Sequence, residues 1–477
     1  QRLFDEAETG VFQTSPEIES ETERISYTRQ KGKKGRKPLP EDLPRTVIMH
    51  ELSEEQRRCE NQACSRCESC EKRRPEISSE TREELEFIPA QVIVNHHVYM
   101  KYGEIKCDEF EQDESQPGVI AAPREKRIIP AALVTASLLA YIIVSKFVDA
   151  LPFYRQERIF SRLRIRISRQ NMCNWTIQAS RECGKYLDLL RRKIREGPLI
   201  NMDETPLQVL KEPNKPVDSE SYMWVMVGSQ AEARRIVLYH YSPHRNAQVA
   251  ESLLEGYRGS LQTDGYKVYD SIGVRDGIWH VGCLQHARHN FFEAHVGANK
   301  KGNAKTGLKY IKRLYRIEHE LRDAGLSDDE FVVARRKAAA PVFREFKKWL
   351  QLMSRTVVPK SLLGKAVSYT LSRYQLLVRY LKYAYLSPDN NIAENAIRPY
   401  VVGRKNWLFN NTPLGAHASA SMYSLVETAK VNNLDPFHFM YRLFKELPEA
   451  ETEEALEKLL PWNMTGIPAY RLDTGKN

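Results

Sequence analysis

The amino-acid sequence predicts an α/β fold whose sheet is interrupted by an all-helical insertion and preceded by two smaller units. Three observations carry that reading. Residues 197–242 hold three consecutive strand runs, "GPLINMDETPLQVL", "SYMWVMVGS" and "ARRIVLYHYS", with turn-forming segments between them. A stretch of helical spacing, "NAQVAESLLEGY", and another strand run, "GSLQTDGYKVYD", follow directly. Residues 300–385 are then rich in Lys, Arg and Leu at helical spacing throughout, which marks an insertion rather than more sheet. At 477 residues the chain exceeds what one hydrophobic core serves, so about three or four structural units are expected.

In chain order, residues 1–45 are polar, without hydrophobic period, and include "RQKGKKGRKPLP". This basic arm is either a solvated linker or a phosphate-contacting segment through Lys33, Lys34 and Arg36. Residues 46–110 form a small β-rich unit, with "RTVIMHEL" and "EFIPAQVIVNHHVYMKY" as short strands around a cysteine cluster. Residues 111–130, acidic and then Pro-containing, read as a linker. Residues 131–196 read as helical. Within them "LPFYRQERIFSRLRIRISRQNMCNWTIQAS" breaks near Ile165–Ser168 and restarts at Ser168, a good helix N-cap. Two short helices flanked by Arg162, Arg164, Arg166 and Arg169 fit a helix-turn-helix DNA reader or a helical hairpin with a basic face.

The core then occupies residues 197–299 and 386–432, on either side of the insertion, with a helical tail over 433–477. Three strands, a helix and a fourth strand match the opening order of a ribonuclease-H-like sheet, in which the first and fourth strands are neighbours. That order gives three acids a meeting point. Asp203 lies inside the first strand, where a carboxylate is costly to bury unless it is paired or holds a metal. Asp264 ends the fourth strand, before a glycine that permits a sharp exit. Glu394 sits in "DNNIAENAIRP" on a later helix, one turn before Arg398. Each alone fits a cap, a turn or an ion pair. Together they suit divalent metal, which resolves the repulsion of crowded carboxylates and assists phosphodiester chemistry, with two ions about 3.5–4 Å apart. Asn390, Asn391 and Asn395 are expected to be neutral hydrogen-bonders around that centre.

Composition excludes several classes. Hydrophobic residues make up 42% and charged residues 28%, as in soluble globular proteins rather than disordered ones. Lys and Arg outnumber Asp and Glu by 72 to 62, a net charge of +10 that suits a polyanionic partner such as nucleic acid. The most apolar stretch, residues 131–148, is broken by Thr135, Ser137, Ser145 and Lys146, and so reads as a buried core helix rather than a membrane span. Of eight cysteines, Cys59, Cys64, Cys67 and Cys70 cluster, while Cys107, Cys173, Cys183 and Cys283 are scattered. In a long chain without a signal peptide, this predicts reduced thiols, a cytoplasmic setting and one metal site. A chain that begins at Gln1 rather than Met is expected to have an upstream segment.

The blocks "NMDETPLQVL", "LQTDGYKVY", "GCLQHARHNFFEAH", "DNNIAENAIRPYVVGRKNWLF" and "ASMYSLVETAKVNNLDPFHFMYRLF" resemble those of the large-subunit transposases of the insertion-sequence-66 family. The likeness runs in order from about residue 36 to about residue 462. It implies a DDE-type DNA transposase of a bacterial mobile element, with Asp203, Asp264 and Glu394 as its acidic triad holding magnesium or manganese. The chemistry implied is hydrolysis at the element ends, giving a 3′ hydroxyl that attacks target DNA. Arg398, Arg404, Lys405, His286 and Arg288 are the expected phosphate contacts, and Trp407 either stacks on an unpaired base or packs in the core. The family's "CWAHARRKF" appears as "CLQHARHNF", so His289 and Leu284 depart from it. The family's zinc knuckle has two CxxC pairs; here Glu104 replaces one cysteine of the second pair. A zinc site drawn from Cys59, Cys64, Cys67, Cys70 and Cys107, or a knuckle that has lost its metal, both fit. The expected partners are terminal inverted repeats and target DNA, further copies of the chain and accessory transposition proteins, at the bacterial nucleoid. Competing readings are a ribonuclease-H-like nuclease or resolvase, and a DNA-binding protein that has lost catalysis.

Overall fold

The computed structural model describes residues 91–103, 119–229, 234–298 and 302–470, with Val47 and Met49 in addition. The basic arm with Lys33, Lys34 and Arg36, and all five cysteines from Cys59 to Cys107, lie outside the described residues. The chain divides after Gln91, and every described strand and helix belongs to the second unit, Val92–Asn477.

Strand β1 (Lys101–Gly103) pairs antiparallel with β2 (Val119–Ala121), which lies in the stretch expected to be a linker. Of the longer strand expected over residues 86–102, residues 86–90 lie outside the described residues and Lys101 and Tyr102 belong to β1. Residues 91–100 carry no regular structure, and Ile93 and Val94 are 76% and 95% exposed. Their β-branched side chains favour extended backbone, but among the described residues no neighbouring strand covers them.

Four helices follow: α1 (Ala136–Phe147), α2 (Phe153–Arg162), α3 (Arg169–Glu182) and α4 (Gly184–Arg195). Helix α1 is the apolar stretch, and it buries Leu139, Ala140, Ile142, Ile143 and Phe147 in the core. Among the described residues no helix is long and apolar enough to cross a membrane. Ser168 caps α3 as its sequence position suggests, accepting from Asn171 N–H at 3.2 Å. Arg166 and Arg169 are exposed at this junction.

The principal sheet is built from β3 (Leu199–Gln208), β4 (Glu220–Ser229), β5 (Arg235–Ser242), β6 (Gly259–Gln262) and β7 (Ile278–Val281), with α5 (Ala247–Leu253) between β5 and β6. Its spatial order is β5-β4-β3-β6-β7. The first three strands form antiparallel pairs, whereas β3–β6 and β6–β7 are parallel. The first and fourth strands are thus neighbours. The run read as a strand over residues 259–270 is shorter, ending at Gln262 because Gly265 takes a left-handed φ of +89° and turns the chain.

Beyond β7 come α6 (Leu284–Gly297), α7 (Ala304–Arg322), α8 (Asp328–Thr356) and α9 (Leu362–Val378). They share a second core, in which Phe291, Ile311, Leu314, Phe346 and Leu350 are fully buried. Helices α10 (Asn391–Trp407), α11 (Pro413–Val431), α12 (Pro436–Glu446) and α13 (Glu453–Lys458) complete the chain, and α10 to α12 return to the core of the sheet.

Helix α11 covers the free edge of β5. Val237 N–H donates to Thr428 Oγ1 at 3.0 Å, and that hydroxyl donates to Val237 O at 2.9 Å. Tyr239 N–H donates to Ser424 Oγ at 2.8 Å, and Asn432 Nδ2 donates to Arg235 O at 2.7 Å. Residues 424, 428 and 432 are one helical turn apart, so a single polar stripe satisfies alternate groups of an edge that would otherwise template association. Replacing Thr428 with the near-isosteric Val should leave both Val237 groups unpaired and cost about 1–3 kcal/mol. Hydrogen exchange on the full chain should show faster exchange at the Val237 amide, and an unaltered rate there would refute this role for α11.

Candidate active site

Strand register brings the two aspartates together. Asn201 pairs with Gln262 at the last rung of the parallel β3–β6 ladder, so Asp203, inside β3, and Asp264, just beyond the end of β6, each lie two residues past that rung. Asn201 Nδ2 donates to Gln262 Oε1 at 3.2 Å and to Asn390 Oδ1 at 2.9 Å. Asn390 Nδ2 in turn donates to Met202 O at 2.9 Å. All three amide side chains are buried. Asn390 is the N-cap residue of α10, so this network pins the start of the helix that carries Glu394 onto β3 and β6.

Electrostatics place the three acids within one another's fields. Burial pushes the Asp203 carboxyl well above the usual range, and the charges of Glu204, Asp264 and Glu394 push it further. Burial also raises Glu394; His286 opposes the shift, Asp389 and Asp264 add to it, and Arg398 opposes it. Asp264 Oδ1 accepts from Tyr266 N–H at 2.8 Å, which shapes the turn after β6. The Asp264 carbonyl accepts from Tyr369 Oη of α9 at 2.7 Å. A Cβ added at Gly265 would stand 2.8 Å from that same Tyr369 hydroxyl, so glycine is needed both for φ and for space.

Glu204, the adjacent acid in "MDET", is engaged elsewhere. Its Oε1 accepts from Arg245 Nε at 2.9 Å and its Oε2 accepts from Tyr269 Oη at 2.6 Å. Asp203 has no such partner among the described residues: Glu204 N–H at 2.8 Å is the donor to its Oδ1. Of two neighbouring acids, only Asp203 is left to take an external cation. The ion pair between Glu394 and Arg398 is not formed. The basic side chain within 4.0 Å of Glu394 is His286, with Nδ1 at 3.8 Å. Among the described residues, the three ligand types whose atoms all lie within 4.8 Å of one another are Cys283, His286 and Glu394.

The remaining expected contacts are spread along two helices. Arg398 is exposed on α10, while Arg404 and Lys405 are half-buried in its last turn. Burial lowers the Arg404 pKa from its ordinary value. Arg288 on α6 is half-buried, and the family-divergent His289 pairs with Glu293 at 3.3 Å one turn on. Trp407 is a packing residue, edge-on to Phe147 with ring centroids 6.4 Å apart, and Lys146 Nζ lies 4.1 Å from its ring centre. Asn391 N–H donates to Asp389 Oδ1 at 3.2 Å, and Asn395 is exposed.

Two features of the site are not apparent from sequence reasoning. The alternation of Asn201 with Asp203 is visible there, but not that Asn201 finds amides at 262 and 390. The Cys-x-x-His spacing of Cys283 and His286 is also a signal, because three residues on a helix bring side chains to one face.

Orphaned buried atoms show that the donor set suits metal. Among the described residues, Glu394 Oε1 and His286 Nδ1 are buried without a hydrogen-bond partner, and Asp203 is a buried acid within β3 crowded by other carboxylates. Hard carboxylate oxygens on Asp203, Asp264 and Glu394 are the ligands magnesium or manganese prefers.

Comparison with known sequences gives a consistent picture. The signature described as "Transposase IS66 family" matches residues 131–418, that of the "IS66 C-terminal element" matches 424–462, and that of the "zinc-finger binding domain of transposase IS66" matches 61–107. Similar proteins include two described as uncharacterized from Sinorhizobium fredii. The protein y4qI is 28% identical over 473 residues, covering 96% of this chain and 82% of its own length. The protein y4jD is 30% identical over 436 residues, covering 89% of this chain and 81% of its own.

Because the folded-state pKa of Asp203 lies above its unfolded value, this carboxyl favours folding below the unfolded pKa, about 3.9. That contribution is lost as pH rises through the folded-state value. In chelator-treated protein, Asp203→Asn should therefore melt above the wild type at about pH 8, with the gap closing toward about pH 4. A wild type at least as stable as the variant at the higher pH would show that the carboxylate is not under electrostatic stress.

Proposed function

The chain belongs to the IS66 family of transposases, and from that premise we propose that it cuts DNA at the ends of its insertion sequence and joins them to target DNA through Asp203, Asp264 and Glu394. It is the transposase of an insertion sequence, with nucleotidyl-transfer activity at the general level and a DNA-binding, zinc-finger character. The observation that supports the finer reading best is the β3–β6 register, which sets Asp203 within β3 and Asp264 just past β6 two residues beyond the same rung, with α10 anchored to β3 by Asn390. We read the sheet, in its order β5-β4-β3-β6-β7, as a ribonuclease-H-like core, with α7 to α9 as an insertion and α2–α3 as a helix-turn-helix-like DNA contact.

In this mechanism water adds to the phosphorus at an element end and the 3′ oxygen leaves as a hydroxyl. That hydroxyl then adds to a target phosphorus and displaces the target's own 3′ oxygen. Divalent ions, magnesium or manganese, when bound would stabilise the attacking and leaving oxygens. Asp203, Asp264 and Glu394 would hold them, and the amide network under β3, β6 and α10 keeps the carboxylates from drifting. Arg398, Arg404, Lys405 and Arg288 position DNA through its phosphates, while His286, with Nδ1 turned to Glu394, meets DNA through Nε2. The enzyme works as a homo-oligomer on paired ends, with accessory proteins, at the nucleoid.

Cleavage of DNA carrying the element's own ends, in magnesium, tests the triad. Asp203→Asn, Asp264→Asn and Glu394→Gln should each lose on the order of 10²–10³-fold in rate. Cleavage surviving Asp203→Asn would remove that residue from the metal-holding set.

The zinc-finger signature spans residues 61–107 and so contains Cys64, Cys67, Cys70 and Cys107 but not Cys59. We propose that those four thiolates close a zinc site and that Cys59 is dispensable. Zinc content measured on purified protein should be unchanged in Cys59→Ser and reduced by about one equivalent in Cys67→Ser. Equal loss in both variants would refute this ligand choice.

A further inference from the structure

A second metal-binding arrangement lies beside the carboxylates, and it has different chemistry. Cys283 is the N-cap residue of α6 and is fully buried, and His286 stands three residues on in the same first turn. Their ligand atoms and a Glu394 carboxylate oxygen all lie within 4.8 Å of one another. Among the described residues, Glu394 Oε1 and His286 Nδ1 are buried without a hydrogen-bond partner, and they are 3.8 Å apart, too far for a direct bond. Two orphaned atoms facing each other across such a gap are each costly unless something sits between them, and a shared cation satisfies both.

The backbone prepares the place for anions. Helices α6 and α10 begin side by side: Leu284 N–H donates to Pro388 O at 2.9 Å, and Asn390 N–H donates to Cys283 Sγ at 3.3 Å. The positive ends of both helices therefore point at the thiol and at the Glu394 carboxylate. A thiolate, an imidazole nitrogen and a carboxylate form the donor set that zinc and its borderline-soft neighbours select and that magnesium avoids.

We infer that Cys283, His286 and Glu394 form a binding site for a borderline-soft divalent ion, with zinc as the expected occupant. Binding takes the proton from the Cys283 thiol to solvent and requires His286 to carry its own proton on Nε2. With three protein ligands, the remaining position goes to solvent. One consequence rests on the proposed transposase mechanism: the glutamate is shared. When its Oε1 is held toward Cys283 and His286 it is withdrawn from Asp203 and Asp264, so zinc at this site suppresses magnesium-supported cleavage.

The full-length protein tests this by zinc stoichiometry. The zinc of the cysteine cluster is present in every variant and cancels in the comparison. Cys283→Ser, His286→Gln and Glu394→Gln should each bind about one equivalent less than wild type. Cobalt substitution should show a thiolate-to-metal absorption band that weakens in Cys283→Ser. Cys283→Asp guards against simple misfolding, because aspartate suits an N-cap and still offers a ligand. It should recover the lost equivalent without recovering the cobalt band. Wild-type stoichiometry in all three single variants would overturn the site. In the cleavage assay, Cys283→Ser should keep activity in magnesium and escape inhibition by added zinc; equal zinc inhibition of both proteins would overturn the regulatory consequence. A chain that cleaves nothing would refute the mechanism while the stoichiometry still decides the metal site.

Discussion

The organisation of the site depends on one buried hydrogen-bond network, the amides of Asn201, Gln262 and Asn390. Each comes from a separate part of the chain, residues 201 and 390 being 189 positions apart. Burying three amides is unfavourable unless nearly every donor and acceptor is matched, and an unmatched group costs about 1–3 kcal/mol. Here Gln262 Nε2 also reaches Ser387 O at 2.8 Å, so the strand holds the segment leading into α10 as well as its cap. Apolar residues could fill this volume, but they would not fix the angle and height at which α10 starts. Hydrogen bonds fix both, and Glu394 lies one turn from that start.

The helical block between β7 and α10 shares in the same task. Arg335 of α8, with a fully buried guanidinium, donates to the carbonyls of Tyr380, Tyr383, Ala384 and Leu386 and pairs with Glu318. A buried arginine is unfavourable unless its charge is met, and here carbonyls of the loop into α10 take its two terminal nitrogens while Nε stands 3.1 Å from Glu318 Oε2. On its other side, α9 grips the turn after β6, through Tyr369 at the Asp264 carbonyl and through the Arg373–Asp270 ion pair. Two of the three acids are therefore braced by helices that contribute none of the ligands.

Much of this was legible from sequence, for identifiable reasons. The strands over residues 197–242, the cap at Ser168 and the buried helix over 131–148 are local patterns, and locally determined features appear where residue type and period put them. Residues 86–102 read as strand because Val92, Ile93 and Val94 favour it; over 91–100 that propensity finds no partner strand among the described residues, and propensity cannot supply one. The sequence singled out three acids but not the residues that hold their strand, turn and helix in place. Asp203 stood out because it interrupts an apolar run. Asn201 did not, because an amide two residues earlier gains meaning only from partners far along the chain. Cys283 was counted among scattered thiols, although its spacing to His286 already put the two on one turn.

The distribution of cations separates a salt-bridged acid cluster from one arranged for external ions. Arg245 lies close to the site, but Glu204 engages it, and its guanidinium also covers the Tyr266 ring at 3.9 Å. Arg373 is drawn to Asp270, and Arg322 and Arg335 to Glu318. Arg398 is one turn from Glu394 yet not within ion-pair distance of it, and it faces solvent. The arginines near the acids thus pair with acids outside the triad or, as with Arg398, are exposed, and His286 is the basic side chain that stands against Glu394. Asp203 and Glu394 keep their mutual repulsion and their raised pKa values. Such stress is retained in a fold when something outside the chain relieves it, and crowded carboxylates from a strand, a turn and a helix are a place where divalent cations can do so.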